Sequence, residues 1–479
     1  MKPRRREKKD NGDHMFETNA TLIAIVESWK EKENTAHTIS DILDWIEQKN
    51  KNLKVEISHI PFSEDAEWKY VMEEGGIVNS KRTFFKIMGL TQREENDYYE
   101  QPIIIQNEIG YLGIICKKIN GVLHFLMQAK IEPGNINKIQ ISPTIQATKS
   151  NFMRAHGGNV PAYLEYFTDT KKYEVVVDQI QSEQASRFYG KRNRNIIIRV
   201  EEDIEVLPSH MWMTLGQIKE LMKIDNLVNM DTRTVISCIP FALRDYQYKE
   251  LMYMQSLFNN QAFFNSVFSS SNSAKLNRLY QFMNEYKMLN KKKIELVDLH
   301  SLKEWRITDG REYIAPKCEF KVIYCDISIE GREVRRWQQP LFAACGESIF
   351  GLIYRIKNNK MEFLVQSVSE VGCFDGIEIG PSVQIGPNQV ENPESSIDSF
   401  FLQRFNAKEG VKFSGLFSEE GGRFYHEQNR NVLMQVGENE LEEVPQGYFW
   451  VDFHTLNIMI QFNNCLNIQL RNLLSILDF

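Results

Sequence analysis

The side chains best suited to chemistry in this 479-residue chain fall in two polar blocks. The first runs Gln128-Ala-Lys130-Ile-Glu132-Pro-Gly-Asn135 and continues through Gln140, Ser142, Thr144, Gln146, Thr148, Ser150 and Asn151. From Gln140 onward, polar residues alternate with small or apolar ones at period two, the pattern of a strand with one polar face. Amides and hydroxyls without charge on such a face suit sugar hydroxyls and a nucleobase in a cleft. A half-exposed strand with no ligand gives the same alternation. The second block, Gln181 to Asn195, packs Glu183, Gln184, Arg187, Tyr189, Lys191, Arg192 and Arg194 into fifteen residues. Arginines forking onto a diphosphate, with an aromatic ring under a base, need these residue types. A solvated charged face is the other reading.

Other chemistries lack their signatures. No GxGxxG follows a strand, and there is no P-loop and no GxSxG elbow, so nicotinamide binding, Walker-type phosphoryl transfer and hydrolase triads are unsupported. His124, His156, His210 and His426 are scattered and read as structural, and no metal site is visible. Seven cysteines form no close CxxC pair and are odd in number, which suits reduced, mostly buried thiols in a reducing compartment. A net charge of −7 with pI near 5.9 argues against nucleic acid. No apolar stretch is long enough to span a bilayer, and the basic run Lys2 to Lys9 precedes no apolar signal segment. A cytoplasmic protein without membrane contact is expected.

The elements that must position these blocks come in duplicate. Val55-Glu56-Ile57 before Trp68 matches Ile294-Glu295-Leu296 before Trp305, with the tryptophans 237 positions apart. Gln101-Pro102 matches Gln339-Pro340, Phe125-Leu-Met-Gln128 matches Phe363-Leu-Val-Gln366, and Ile141-Ser-Pro-Thr-Ile-Gln146 matches Ile379-Gly-Pro-Ser-Val-Gln384. Ser182-Glu-Gln-Ala-Ser-Arg-Phe-Tyr189 matches Ser418-Glu-Glu-Gly-Gly-Arg-Phe-Tyr425, and both continue to Asn-Arg-Asn. Such ordered self-similarity marks an internal duplication. Each repeat opens with a helix, capped by Ser40 or Asp41 in the first and running from Leu276 to Lys292 in the second. Strands at Ile103–Ile105, Tyr111–Cys116 and Leu123–Ala129 follow, with Asn120-Gly121 as a hairpin turn. Helices from Leu215 to Ile224 and from Phe453 to Phe462 close the two units. The composition, 42% hydrophobic and 25% charged, supports sizeable cores. Each unit reads as a layered α/β/α sandwich, with a disordered basic N-terminus over 1–18 and repeats over 19–250 and 251–479.

On Gln101-Pro-Ile-Ile-Ile-Gln-Asn-Glu-Ile-Gly110, Leu123 to Asn135, Ile141 to Thr148, Tyr163-Leu-Glu-Tyr-Phe167 and Asp225-Asn-Leu-Val-Asn-Met-Asp231, the chain resembles the NDP-hexose 2,3-dehydratase family along nearly its whole length. The resemblance implies two tandem Nudix-like domains, a homodimer, a dTDP-4-keto-6-deoxyglucose type of substrate and no hydrolytic metal. It also implies coupling to an NADPH-dependent 3-ketoreductase that traps the product.

Such a reaction needs a base for the C3 proton, a stabilised enolate and an acid for the departing C2 hydroxyl, and it needs no external cofactor. Lys130, Glu132, Glu183 and Tyr163 are the candidates for acid and base. Gln128, Thr144, Gln146, Thr148, Gln184, Arg187, Arg192, Arg194 and Asn195 are the candidate binding groups. Lys130 is Val368 in the second repeat and Thr148 is Gly386, which favours the first repeat as the active one. Arg423, Tyr425, Asn429 and Arg430 are left to a degenerate second pocket. A Nudix-type hydrolase would need clustered glutamates for a metal. A non-catalytic sugar-nucleotide binder would keep the arginines and tolerate loss of the acid and base.

Overall fold

A computed structural model describes residues 11–478 except 34–35, 64, 83, 96, 150–159, 270–272 and 331–333. The first helix, Asn11–Lys30, begins inside the stretch expected to be unstructured, and residues 1–10 lie outside the described ones. The next helix, Ile39–Lys51, is capped by Thr38 rather than by Ser40 or Asp41. The Thr38 hydroxyl accepts the Asp41 amide and the Asp41 carboxylate accepts the Thr38 amide, a reciprocal box that satisfies two otherwise orphaned donors. Its counterpart in the second repeat is Ser273–Leu289. The closing helices are shorter than expected, Leu215–Leu221 and Phe453–Met459. Each is followed by another helix, Met230–Ser237 and Ile468–Ser475, that periodicity alone does not reveal.

The chain is mixed α/β, and the repeats build two matching seven-stranded sheets. In the first, Gly110–Ile119 pairs antiparallel with Val122–Ile131 and parallel with Arg192–Arg199. In the second, Ile349–Lys357 has the same relation to Lys360–Val368 and Gln428–Gln435. Asn120 and Gly121 both take positive φ, 51° and 86°, as the two-residue hairpin requires. The inner faces of both sheets and the helices Met230–Ser237 and Ile468–Ser475 share one continuous apolar core. The outer faces carry separate clusters under the short helices Leu164–Thr168 and Ser396–Ala407.

Two smaller sheets join the halves by exchanging strands. Val55–His59, from the first repeat, pairs with Phe320–Ile329 in the second repeat's sheet. Lys293–Val297, its matching segment, pairs with Lys86–Glu94 in the first repeat's sheet. A division at residue 250 therefore falls inside the helix Tyr248–Leu257 and leaves each half holding a strand of the other. The segment between the repeats is packed, with Phe258, Phe263 and Phe264 buried.

Candidate active site

Lys130 and Glu132 lie at the end of the strand Val122–Ile131, where alternation puts Gln128 and Lys130 on one side. The Lys130 ammonium is 2.9 Å from Glu132 and 3.2 Å from the Gln146 carbonyl, with both charged side chains largely buried. The Gln146 side-chain oxygen accepts from Ser142 and Asn229, so the polar strand faces its own scaffold here. Just past Glu132, Gly134 lets the second half approach. Its amide donates to the Gly421 carbonyl and its carbonyl accepts from His426, while a Cβ there would lie 1.6 Å from the Phe424 carbonyl oxygen. Only glycine permits that contact.

The loop that arrives carries Glu420, Gly422 and Arg423. Glu420 keeps some access to solvent yet is walled in by Lys130, Glu132 and Arg423. Burial, opposed first by Arg423, holds its carboxyl above the ordinary range. Gly422 separates it from Glu132: a Cβ on this glycine would stand 2.9 Å from the Glu132 carboxylate and 2.3 Å from that of Glu420. Behind them Asp231, 2% exposed, has a carboxylate oxygen without a hydrogen-bond donor. Burial first, then Glu183 and Glu420, push its carboxyl well up. Arg423 also donates to Gln106 at 3.3 Å and lies over Phe85. Gln106 opens on a cavity of about 280 Å³ lined by Arg82, Phe84, Lys86, Asn107 and Glu108.

A mirror-image group forms at the second sheet, and it receives Arg187. That guanidinium lies 3.7 Å from Glu319 and over Phe320, with Glu427 and Glu370 nearby. Gly372 stands against the Phe188 carbonyl as Gly134 does against that of Phe424. The two arginines are therefore exchanged relative to the expectation from sequence order: Arg423 joins Lys130, and Arg187 joins the second group. The cause is the crossing of the Gly134 and Gly372 loops, each of which rests on the opposite half. Burial raises Glu370 and Glu378 to about 7 in this second group.

The remaining candidates divide plainly. Glu183 is buried, accepts from Asn193 at 2.5 Å and is pushed up to about 7 by burial and then by Glu420. Glu419 has the same place against Asn429, at 2.7 Å, so this pair belongs to the shared scaffold. Gln184 is buried and Gln128 half-buried. Tyr163 is not at the Lys130 group's disposal. Its hydroxyl donates to the Glu205 carbonyl and accepts from Leu207, and its ring packs into the outer apolar cluster. Thr144 spans Leu126 and Ile115, as Ser382 spans Leu364 and Ile353. Thr148 follows the strand Ile145–Ala147 and is half-buried.

Several charged candidates serve surfaces. Arg194 pairs with Asp178 and Arg430 with Glu347. Arg192 lies over Phe374, 3.6 Å from the ring centroid. Asn195 donates to the Asn193 carbonyl, and Tyr425 stacks on His426. Ser150, Asn151 and His156 lie outside the described residues. Among the described residues, no three His, Cys, Asp or Glu side chains are arranged to hold a metal ion. No described helix is long and apolar enough to cross a membrane.

Sequence reasoning missed Asp231, Glu420 and Gly422. The signal was in the repeat alignment, where their counterparts are Gln469, Gln184 and Ser186. These positions change chemistry between the halves, as Lys130 does.

The sequence profile of the NDP-hexose 2,3-dehydratase family matches residues 39–239 and again 276–477. The chain is 36% identical over 438 residues to a dTDP-4-dehydro-6-deoxy-alpha-D-glucopyranose 2,3-dehydratase of Saccharopolyspora spinosa, covering 90% of this chain and 89% of the relative. A protein of the same name from Streptomyces violaceoruber is 32% identical over 90% of this chain and 95% of its own length. Another, from Amycolatopsis orientalis, is 32% identical over 91% and 90%.

Proposed function

The chain belongs to the NDP-hexose 2,3-dehydratase family, and from that premise we propose that the Lys130 group is its active site. It is a carbon–oxygen lyase that removes the C2 hydroxyl of an NDP-4-keto-6-deoxyhexose, dTDP-4-keto-6-deoxyglucose in the first instance. The observation that carries the placement is one-sidedness: Lys130 meets Glu132, Glu420 and Arg423, whereas the second group has Val368 in place of the lysine.

The C4 ketone acidifies C3. Glu132 removes the C3 proton, and the Lys130 ammonium faces the oxygen on which enolate charge develops. Collapse of the enolate breaks the C2–O bond and leaves a C2=C3 enol, which tautomerises to the 3,4-diketo-2,6-dideoxy sugar nucleotide. The cavity beside Gln106 is the nucleotide subsite in this reading. Arg82 and Lys86 would answer the diphosphate and Phe84 would offer a ring to the base. The mixed sheets flanked by helices support a Nudix-like ancestry, and the second group, with Arg187, is a degenerate sugar-nucleotide pocket. A homodimer and a 3-ketoreductase that consumes the reactive diketone complete the proposal.

Lys130→Ala tests the placement. Turnover is expected to fall about 10²- to 10⁴-fold while dTDP affinity, measured by calorimetry, stays within a few-fold. Unchanged turnover would move the active site elsewhere.

A further inference from the structure

We propose that Glu420, supplied by the second half of the chain, is the catalytic acid that protonates the departing C2 hydroxyl, so that the active site is completed across the two repeats. This rests on the Lys130 group being the active site. Three observations support it. Glu420 is a half-buried carboxyl of the second half that reaches this group beside Lys130 and Glu132. It approaches Glu132 at Gly422, where the absent side chain is what lets the two carboxylates come together, since a Cβ there would strike both. Finally, the set is absent from the second group: Glu420 becomes Gln184, Gly422 becomes Ser186, Asp231 becomes Gln469 and Lys130 becomes Val368. Glu132 and Arg423 keep their counterparts, Glu370 and Arg187.

An elimination needs an acid and a base that do not neutralise one another, and two carboxyls in different environments meet that need. Burial, opposed by Arg423 and reinforced by the facing Glu132, favours the protonated form of Glu420. In the step itself, the C3 proton passes to Glu132 and its bonding electrons enter the C3–C4 enolate. They then form C2=C3 as the C2–O bond breaks. Glu420 gives its proton to the leaving oxygen, and water departs. Glu420 is left ionised and Glu132 protonated, and the proton returns between the two facing carboxyls as the site resets.

The test uses the full-length protein with dTDP-4-keto-6-deoxyglucose in deuterated water and follows two events separately: deuterium entry at C3, and loss of water. In Glu420→Gln, dehydration is expected to fall about 10²- to 10⁴-fold while C3 exchange continues, because the base and Lys130 remain. Glu420→Asp should recover part of the dehydration, and its pH profile should fall on the alkaline side at a pH different from that of the wild type. Dehydration by Glu420→Gln within a few-fold of wild type would overturn the proposal. So would loss of exchange and dehydration together with dTDP affinity intact, which would make Glu420 the base. Lys130→Ala, run in parallel, separates the two layers: if it keeps full exchange and dehydration, the placement of the site has failed and not only the role of Glu420.

Discussion

At the scale of single residues, the most informative comparison is between groups that two copies of one unit keep and groups that only one copy has. Thr144 and Ser382, or Glu183 and Glu419, make the same contacts in both halves and read as scaffold. Lys130 was legible as a candidate because its counterpart is Val368. The same comparison contains Asp231 and Glu420, but a carboxylate in a charged loop looks solvated until burial is known. The exchanged placement of the arginines was not legible for a different reason, since nothing in a linear repeat says that two loops cross. The exchange can be checked directly. Arg423→Ala is expected to lower kcat/KM for the sugar nucleotide at least tenfold. Arg187→Ala should lower Tm, because it leaves Glu319 and Glu427 uncompensated, while turnover of the folded enzyme stays within about threefold. Equal kinetic losses in the two variants would contradict the separation of the groups.

At the scale of elements, periodicity and turn chemistry located most of the central strands and both opening helices, because each has one apolar face and a local stop signal. Strand exchange was not legible. Val55–His59 and Lys293–Val297 carry the same alternation wherever they pair, and a short strand's partner is set by tertiary geometry. The exchange makes the smaller sheets interdependent. Ile57→Pro, in the first half, removes a ladder donor opposite Ile327 in the second. A loss of about 1–3 kcal/mol in stability is expected, with faster hydrogen exchange at 320–329. Unchanged protection there would mean that the exchanged strand contributes little to the sheet it enters.

At the scale of the whole molecule, the halves meet along buried carboxyls. Glu183, Glu370, Glu378 and Glu419 are each raised by burial from an ordinary 4.5 to about 7. For such groups the stability contribution is fully present below the unfolded value and is lost as pH rises through the folded one. Tm should therefore decline between about pH 4.5 and 7.5, by up to about 3 kcal/mol of stability per group, and level off above that. Glu378→Gln, which removes one ionisable group, should flatten that decline. A Tm that rises over this range would contradict the description of the interface. The duplicated scaffold thus carries an unequal pair of polar centres, and the account assigns chemistry to one of them.

The most direct test of that account is to incubate the purified protein with dTDP-4-keto-6-deoxyglucose and an aromatic 1,2-diamine, with EDTA present, and to analyse the products by mass spectrometry. The expected result is a diamine adduct of a sugar nucleotide that has lost one water from the substrate, with the diphosphate linkage intact. Unchanged substrate, or release of a nucleoside monophosphate, would contradict it.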